Sequence, residues 1–154
     1  MNNKFHTLYI YMHTITELIQ KINTAVEDIQ YNTEPKKLYD PIRYILSIGG
    51  KRIRPLLMLM GYNLYRDDVD PIINNALALE TYHNFTLLHD DLMDKSDMRR
   101  GNPTVHKKWN DNTAILSGDT MLIMAYELFN KGMKNDAAWT AFIEATLGVC
   151  EGQQ

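Results

Sequence analysis

Asp90, Asp91 and Asp94 end the run LLHDDLMD, and the pair Arg99-Arg100 follows before Gly101. If residues 76–94 are helical, positions 90 and 94 stand one turn apart and 91 lies three residues from 94. The three carboxylates then share one patch at the helix's C-terminal end. That end carries the negative pole of the helix dipole, and neighbouring carboxylates repel one another. Such a cluster calls for a cation. Mg²⁺ suits it, because that ion binds one or two carboxylates and completes its shell with water and phosphate oxygens. Asp-rich helix ends are commonly no more than solvated charge. Here apolar residues precede the acids and two guanidinium groups follow, so carboxylate, metal, phosphate and arginine form a self-consistent order of charges.

A second anion-binding stretch is GGKRIRP, residues 49–55. Two glycines permit positive φ or a close backbone approach, and Pro55 suits the first turn of a following helix. Lys51, Arg52 and Arg54 flank that helix start, and Lys51 and Arg54 are spaced to grip one anion. The plain alternative is a glycine cap followed by surface charge. Further along, His83, Leu87, Asp90 and Asp94 recur at steps of four, three and four, which is one helical face. Thr86 precedes Asp90 by one turn. A histidine on an apolar helix is usually a satisfied core residue, but His83 shares its face with the acids. His89-Asp90 also matches an HD-type metal phosphohydrolase pair, a reading that needs further His and Asp ligands and leaves the arginines without a role.

The elements around these residues read as helices throughout. Residues 14–30 place Ile15, Leu18, Ile19, Ile22, Val26 and Ile29 on one stripe, with Thr14 or Thr16 as the candidate N-cap and Glu17, three residues after Thr14, able to complete a capping box. Residues 31–37 read as a turn, and Asp40-Pro41 marks a helix start. Residues 56–65 are apolar on every side and are expected to be buried. Residues 72–94 give the longest helical pattern, and residues 98–110 form a loop broken at Gly101 and Asn102-Pro103. Helices are expected again over 113–130 and 136–151. Gly118 and Gly148 within them each cost about 1 kcal/mol relative to Ala, a cost usually explained by close helix packing. No stretch alternates at period two for long enough to make a strand, so the fold class is all-α.

Bulk properties set wide bounds. The 154 residues are 45% hydrophobic and 23% charged, with a net charge of −3, enough for one globular domain and without a general attraction for nucleic acid or anionic membrane. The single Cys150 excludes an internal disulfide and a Cys-rich zinc site and fits a reducing, cytoplasmic setting. No apolar run approaches the roughly 20 residues of a membrane span, so no stable membrane insertion is expected. Residues 1–11 are expected to be an N-terminal extension, and residues 12–154 the N-terminal portion of one domain. An apolar pattern running to residue 149 suggests truncation, with the apolar faces of 113–149 left uncovered.

Taken in order, GGKRIRP, the helix ending in HDDLMD, and MRRGNPTVH resemble the trans-type isoprenyl diphosphate synthases of the polyprenyl synthetase family, from about Leu38 to Gln153. The resemblance implies an isoprenoid synthase-type helical bundle around a central cavity. It implies Mg²⁺-dependent condensation of an allylic diphosphate with isopentenyl diphosphate. Asp90, Asp91 and Asp94 match the catalytic first aspartate-rich motif, with Asp90 and Asp94 as the Mg²⁺ ligands that hold the allylic diphosphate. Arg99 would contact that diphosphate, while Lys51, Arg54, His83 and Arg100 would hold isopentenyl diphosphate. Gln153 matches the Gln of a GQxxD motif. The family assigns product length to the fourth and fifth residues before the first aspartate, Thr86 and Phe85. An ideal helix sets Thr86 about 40° and Phe85 about 140° from Asp90, yet a bulky Phe85 beside a small Thr86 looks like the short-chain pattern, giving a farnesyl or geranylgeranyl (C15–C20) product. The family's second aspartate-rich motif would lie past residue 154. The alternative to an active synthase is therefore a noncatalytic diphosphate-binding subunit or an inactive fragment. Relatives are commonly homodimers, and self-association is expected.

Overall fold

A computed structural model describes residues 12–31 and 34–153. The expected extension over residues 1–11 lies outside the described residues. Seven α-helices and one short hairpin follow in order among the described residues. Helix α1 (Ile15–Glu27) opens with the expected capping box, since the Thr14 side chain accepts from the Glu17 N–H and Glu17 accepts from the Thr14 N–H. Its stripe buries Leu18, Ile22 and Val26. Helix α2 (Lys36–Ser47) starts earlier than Asp40-Pro41 suggests. Extended Pro35 precedes the first helical residue, and Pro41 sits inside the helix with its ring buried. The fixed φ of Pro35 sets the entry, and burial of the Pro41 ring offsets the backbone hydrogen bond it cannot donate.

Helix α3 (Ile53–Asn63) also differs from expectation. Only Pro55, Leu59 and Asn63 are buried in it, whereas Leu57 is 61% exposed and Leu64, just past its end, 56%. Composition alone cannot distinguish an enclosed helix from one whose apolar outer side has no neighbour among the described residues.

One turn of 3₁₀ helix (Asp70–Ile72) leads into α4 (Ile73–Met93), the central element. It buries residues around its whole circumference, from Ala76 and Ala78 to Phe85, Leu88 and Asp91. Helices α1, α2, α3 and α6 (Asp111–Lys131) pack on it. Gly118 on α6 meets α4 where a Cβ would lie 2.2 Å from His89 Nε2, so the expected close approach is real at that glycine. Gly148, on α7 (Asp136–Glu151), has nothing within 4 Å of a Cβ, and close packing does not explain it. Helix α7 reaches α4 through Tyr82, which donates to the Thr146 carbonyl and meets the Phe142 ring edge-on.

Between α4 and α6 the loop holds β1 (Met98–Arg99) and β2 (Asn102–Pro103), paired antiparallel, and the single turn α5 (Val105–Lys108). Two-residue strands are too short to show period-two patterning. The fold is all-α, a helical bundle packed around α4. Ile115, Leu116 and Ile123 on α6 and Leu147 and Val149 on α7 are exposed, matching the uncovered faces expected over 113–149. Among the described residues no helix is long and apolar enough to cross a membrane.

Candidate functional site

The Gly49-Gly50 turn separates α2 from α3, and both glycines have positive φ, 81° and 155°. Arg52, which precedes α3, is left-handed at φ 50°. This backbone sends neighbouring side chains in different directions. Lys51 and Arg54 line a hollow of about 450 Å³ together with Gly50, His83 and Arg100. Arg52 and Glu80 also border this hollow, but their side chains are only 5% and 4% exposed and pair with each other. The expected trio of flanking cations is therefore a pair with a third, internal arginine.

Three further contacts fix the hollow. Arg54 Nη1 lies 3.2 Å from His83 Nε2. Guanidinium can only donate, so that nitrogen accepts, and the proton of the neutral ring resides on Nδ1. Burial first, then the Arg54 charge, depresses the His83 pKa below its ordinary value, which favours this neutral form. Arg100 comes from the β1–β2 turn, where Arg100 and Gly101 both have positive φ, 51° and 77°, as a primed hairpin turn requires. Its guanidinium rests on Gly50, where a Cβ would lie 2.7 Å from Nη1. Thr104, fully buried, donates to the Ser96 carbonyl at 2.7 Å and braces the same hairpin.

An adjoining cleft of about 430 Å³ lies between α4 and α7. Arg54 and His83 belong to both spaces. The cleft is walled by Tyr82, Thr86, Leu87, Phe142 and Val149, with Asp90 and Gln153 also on its lining. His83, Leu87 and Asp90 thus share one face, as their spacing implies. Thr86 is in the cleft. Phe85 is not: it is 8% exposed on the next face, 5.5 Å from the Tyr82 ring and 4.8 Å from His89.

The three acids do not form one patch. Asp90 is half-buried and Asp94, at the helix end, is exposed. Asp91 is 2% exposed and holds Arg99 through two bonds, Nε to Oδ2 at 2.6 Å and Nη2 to Oδ1 at 2.8 Å. Successive helical residues diverge by about 100°, so Asp91 turns towards the hairpin while Asp90 and Asp94 remain about 40° apart. The Asp91 hydrogen bond, with added attraction from Asp90 and Asp94, raises the Arg99 pKa.

Among the described residues, no His, Cys, Asp or Glu side chains group in threes to cage an ion unaided. Two carboxylates one turn apart, neither bonded to a protein cation among the described residues, fit a Mg²⁺ that draws its other oxygens from water and diphosphate. His89 is turned away from Asp90. Its Nε2 lies 3.3 Å from the Ile115 carbonyl, against α6, so the HD-type ligand set does not assemble.

Sequence reasoning missed Glu80, Tyr82, Phe142 and Thr146. A lone acid within NALALETYHNF was a signal for Glu80, because an acid on an otherwise buried segment needs an internal partner. The cleft-lining apolar residues gave none. A larger cavity, about 570 Å³, lies between α1 and α2; Gly49 and Arg52 line it, but none of the other expected site residues does.

Comparison with known proteins meets this geometry. The short chain isoprenyl diphosphate synthase of Methanocaldococcus jannaschii is 40% identical over 139 residues, 88% of this chain and 42% of that protein. The geranylgeranyl diphosphate synthase of Methanosarcina mazei is 36% identical over 137 residues, 86% of this chain and 42% of that one. A crystal structure of a geranylgeranyl pyrophosphate synthase superposes with a TM-score of 0.87 at 49% identity, covering 93% of this chain and 44% of that one. The chain thus spans less than half the length of these relatives. Residues 35–154 match the polyprenyl synthetase description itself, so the chain belongs to the polyprenyl synthetase family.

Proposed function

We propose that this chain carries the diphosphate-handling end of a prenyltransferase that joins an allylic diphosphate to isopentenyl diphosphate, giving a C15–C20 prenyl diphosphate. The supporting observation is the shared wall. A cation-lined hollow meets an apolar cleft at Arg54 and His83, and the cleft carries Asp90 at its polar end.

Lys51, Arg54 and Arg100 would hold the diphosphate of isopentenyl diphosphate, with neutral His83 donating from Nδ1. Asp90 and Asp94 would hold Mg²⁺, which supplies positive charge opposite the allylic diphosphate. Arg99, kept extended by Asp91, would face the same anion. As the allylic C–O bond breaks, negative charge grows on the departing diphosphate, and fixed cations stabilise it more than they stabilise the bound substrate. The cleft excludes water from the allylic cation. The isopentenyl double bond then forms the new C–C bond, and a proton leaves to the released diphosphate. The chain supplies no nucleophile and needs none.

Thr86 and Phe85 remain the proposed length determinants, Thr86 by direct contact with the growing chain and Phe85 through Tyr82. Gln153, on the cleft lining, would contact substrate. A cytoplasmic homodimer belongs to the same proposal, supported by the single free Cys150 and the exposed apolar residues of α6.

The span of less than half a relative's length favours a second reading, a subunit or inactive fragment that binds diphosphate without turnover. Labelled isopentenyl and allylic diphosphates with Mg²⁺ separate the two. A longer prenyl diphosphate establishes transfer. Saturable binding without product establishes the binding-only reading, and no binding at all rejects both.

A further inference from the structure

Arg52 lies between two cations that face the hollow, yet its own guanidinium is spent inside the protein. Nη1 donates to Glu80 Oε1, Nη2 donates to the Leu46 carbonyl at 3.1 Å, and Nε donates to Asn23 Oδ1 at 3.2 Å. One side chain therefore ties α1, the end of α2 and the middle of α4 together. Glu80 is 3% exposed, and its Oε1 also accepts from Asn84 Nδ2 at 3.0 Å. His83 follows Glu80 by three residues, just under one helical turn.

Stability is a poor explanation for this arrangement. A buried ion pair loses to desolvation most of what it gains by attraction, and apolar side chains of similar volume commonly serve as well. The left-handed backbone of Arg52 adds strain that a non-glycine residue adopts only when its surroundings impose it. Both features make sense if the pair fixes geometry. Holding Arg52 inward turns Lys51 and Arg54 outward on either side, and anchoring it on Glu80 places them opposite His83.

Resting on the diphosphate reading above, we propose that the Arg52–Glu80 ion pair is a positioning device for the hollow, holding Lys51 and Arg54 at the spacing that grips one diphosphate. Both residues border the hollow, but their almost wholly buried side chains are committed to each other and to protein partners, leaving no free charge for the ligand. The pair acts through the Gly49–Pro55 segment.

The test is calorimetric titration of the 154-residue chain with inorganic diphosphate, with circular dichroism as the control for folding. Exchanging the pair for apolar residues, Arg52→Met with Glu80→Leu, keeps the core filled and releases the segment. The expected result is a folded protein whose affinity falls roughly tenfold or more. A merely structural role would move the unfolding midpoint and leave the affinity of the folded protein unchanged, so a folded double variant within about twofold of the parent overturns the proposal. Should the double variant not fold, Arg52→Lys decides. It keeps Glu80 paired, but its single compact ammonium lacks the spread of the planar guanidinium fork that reaches Asn23, Glu80 and Leu46 at once. Weakening of at least about threefold supports the proposal while no change overturns it. A parent chain that does not bind diphosphate overturns the functional reading itself, and this inference with it.

Discussion

The two ends of the functional face of α4 are built on opposite plans. At the His83 end every cation but Lys51 is held: Arg52 by Glu80, Arg54 against His83, Arg100 on Gly50. At the Asp90 end only Asp91 is tied down, by Arg99, while Asp90 and Asp94 attract Arg99 from a distance and make no side-chain hydrogen bond or close ion pair among the described residues. Long, flexible cations crowded together repel and would scatter, so a cationic pocket has to be pinned before its ligand arrives. Short carboxylates on a rigid helix need no such restraint, and a metal that chooses its own coordination is better served by leaving them free. Preorganisation is thus concentrated where the protein must supply the order.

That contrast can be broken by substitution. Glu80→Ala carries the largest expected effect, about 3–5 kcal/mol lost in urea unfolding, because it strands the Arg52 charge in the interior. A loss under about 1 kcal/mol would mean the hollow is not held from within. Asp91→Ala should cost less, about 2 kcal/mol in the same measurement, since the Arg99 side chain is 25% exposed and can recover some hydration. At the other extreme, Asp94→Asn should raise stability by about 0.3–1 kcal/mol at low ionic strength, as it removes an exposed negative charge from a helix C-terminus. The same variant should weaken Mg²⁺-supported diphosphate binding. If instead it destabilises the fold, Asp94 has an internal structural duty and the contrast fails.

Much of this layout was visible in the residue order. The capping box at Thr14 and Glu17 is local chemistry and survives intact. The single face carrying His83, Leu87 and Asp90 follows from helical periodicity, which the long uninterrupted α4 maintains. Asp91 was misplaced because sequence proximity was taken for spatial proximity, although adjacent helical positions point apart. Arg52 was grouped with Lys51 and Arg54 because charge does not reveal direction, and direction was set by a left-handed residue that only the fold enforces. The glycines make the same point. Gly118 answers to the His89 ring on a neighbouring helix and Gly148 to nothing nearby, yet both look alike within apolar helical runs. Tertiary partners cannot be inferred from a pattern that records only one side of a contact.

The outer side of α3 carries one last consequence. Ile53, Leu57, Met60 and Leu64 recur at steps of four, three and four, and all are exposed, so they form a continuous greasy ridge rather than scattered spots. Water is a poor solvent for such a strip, and salts that strengthen burial make it poorer. In the purified chain the ridge sets the handling: early salting-out with ammonium sulfate, firm retention on phenyl resin, and release by mild detergent.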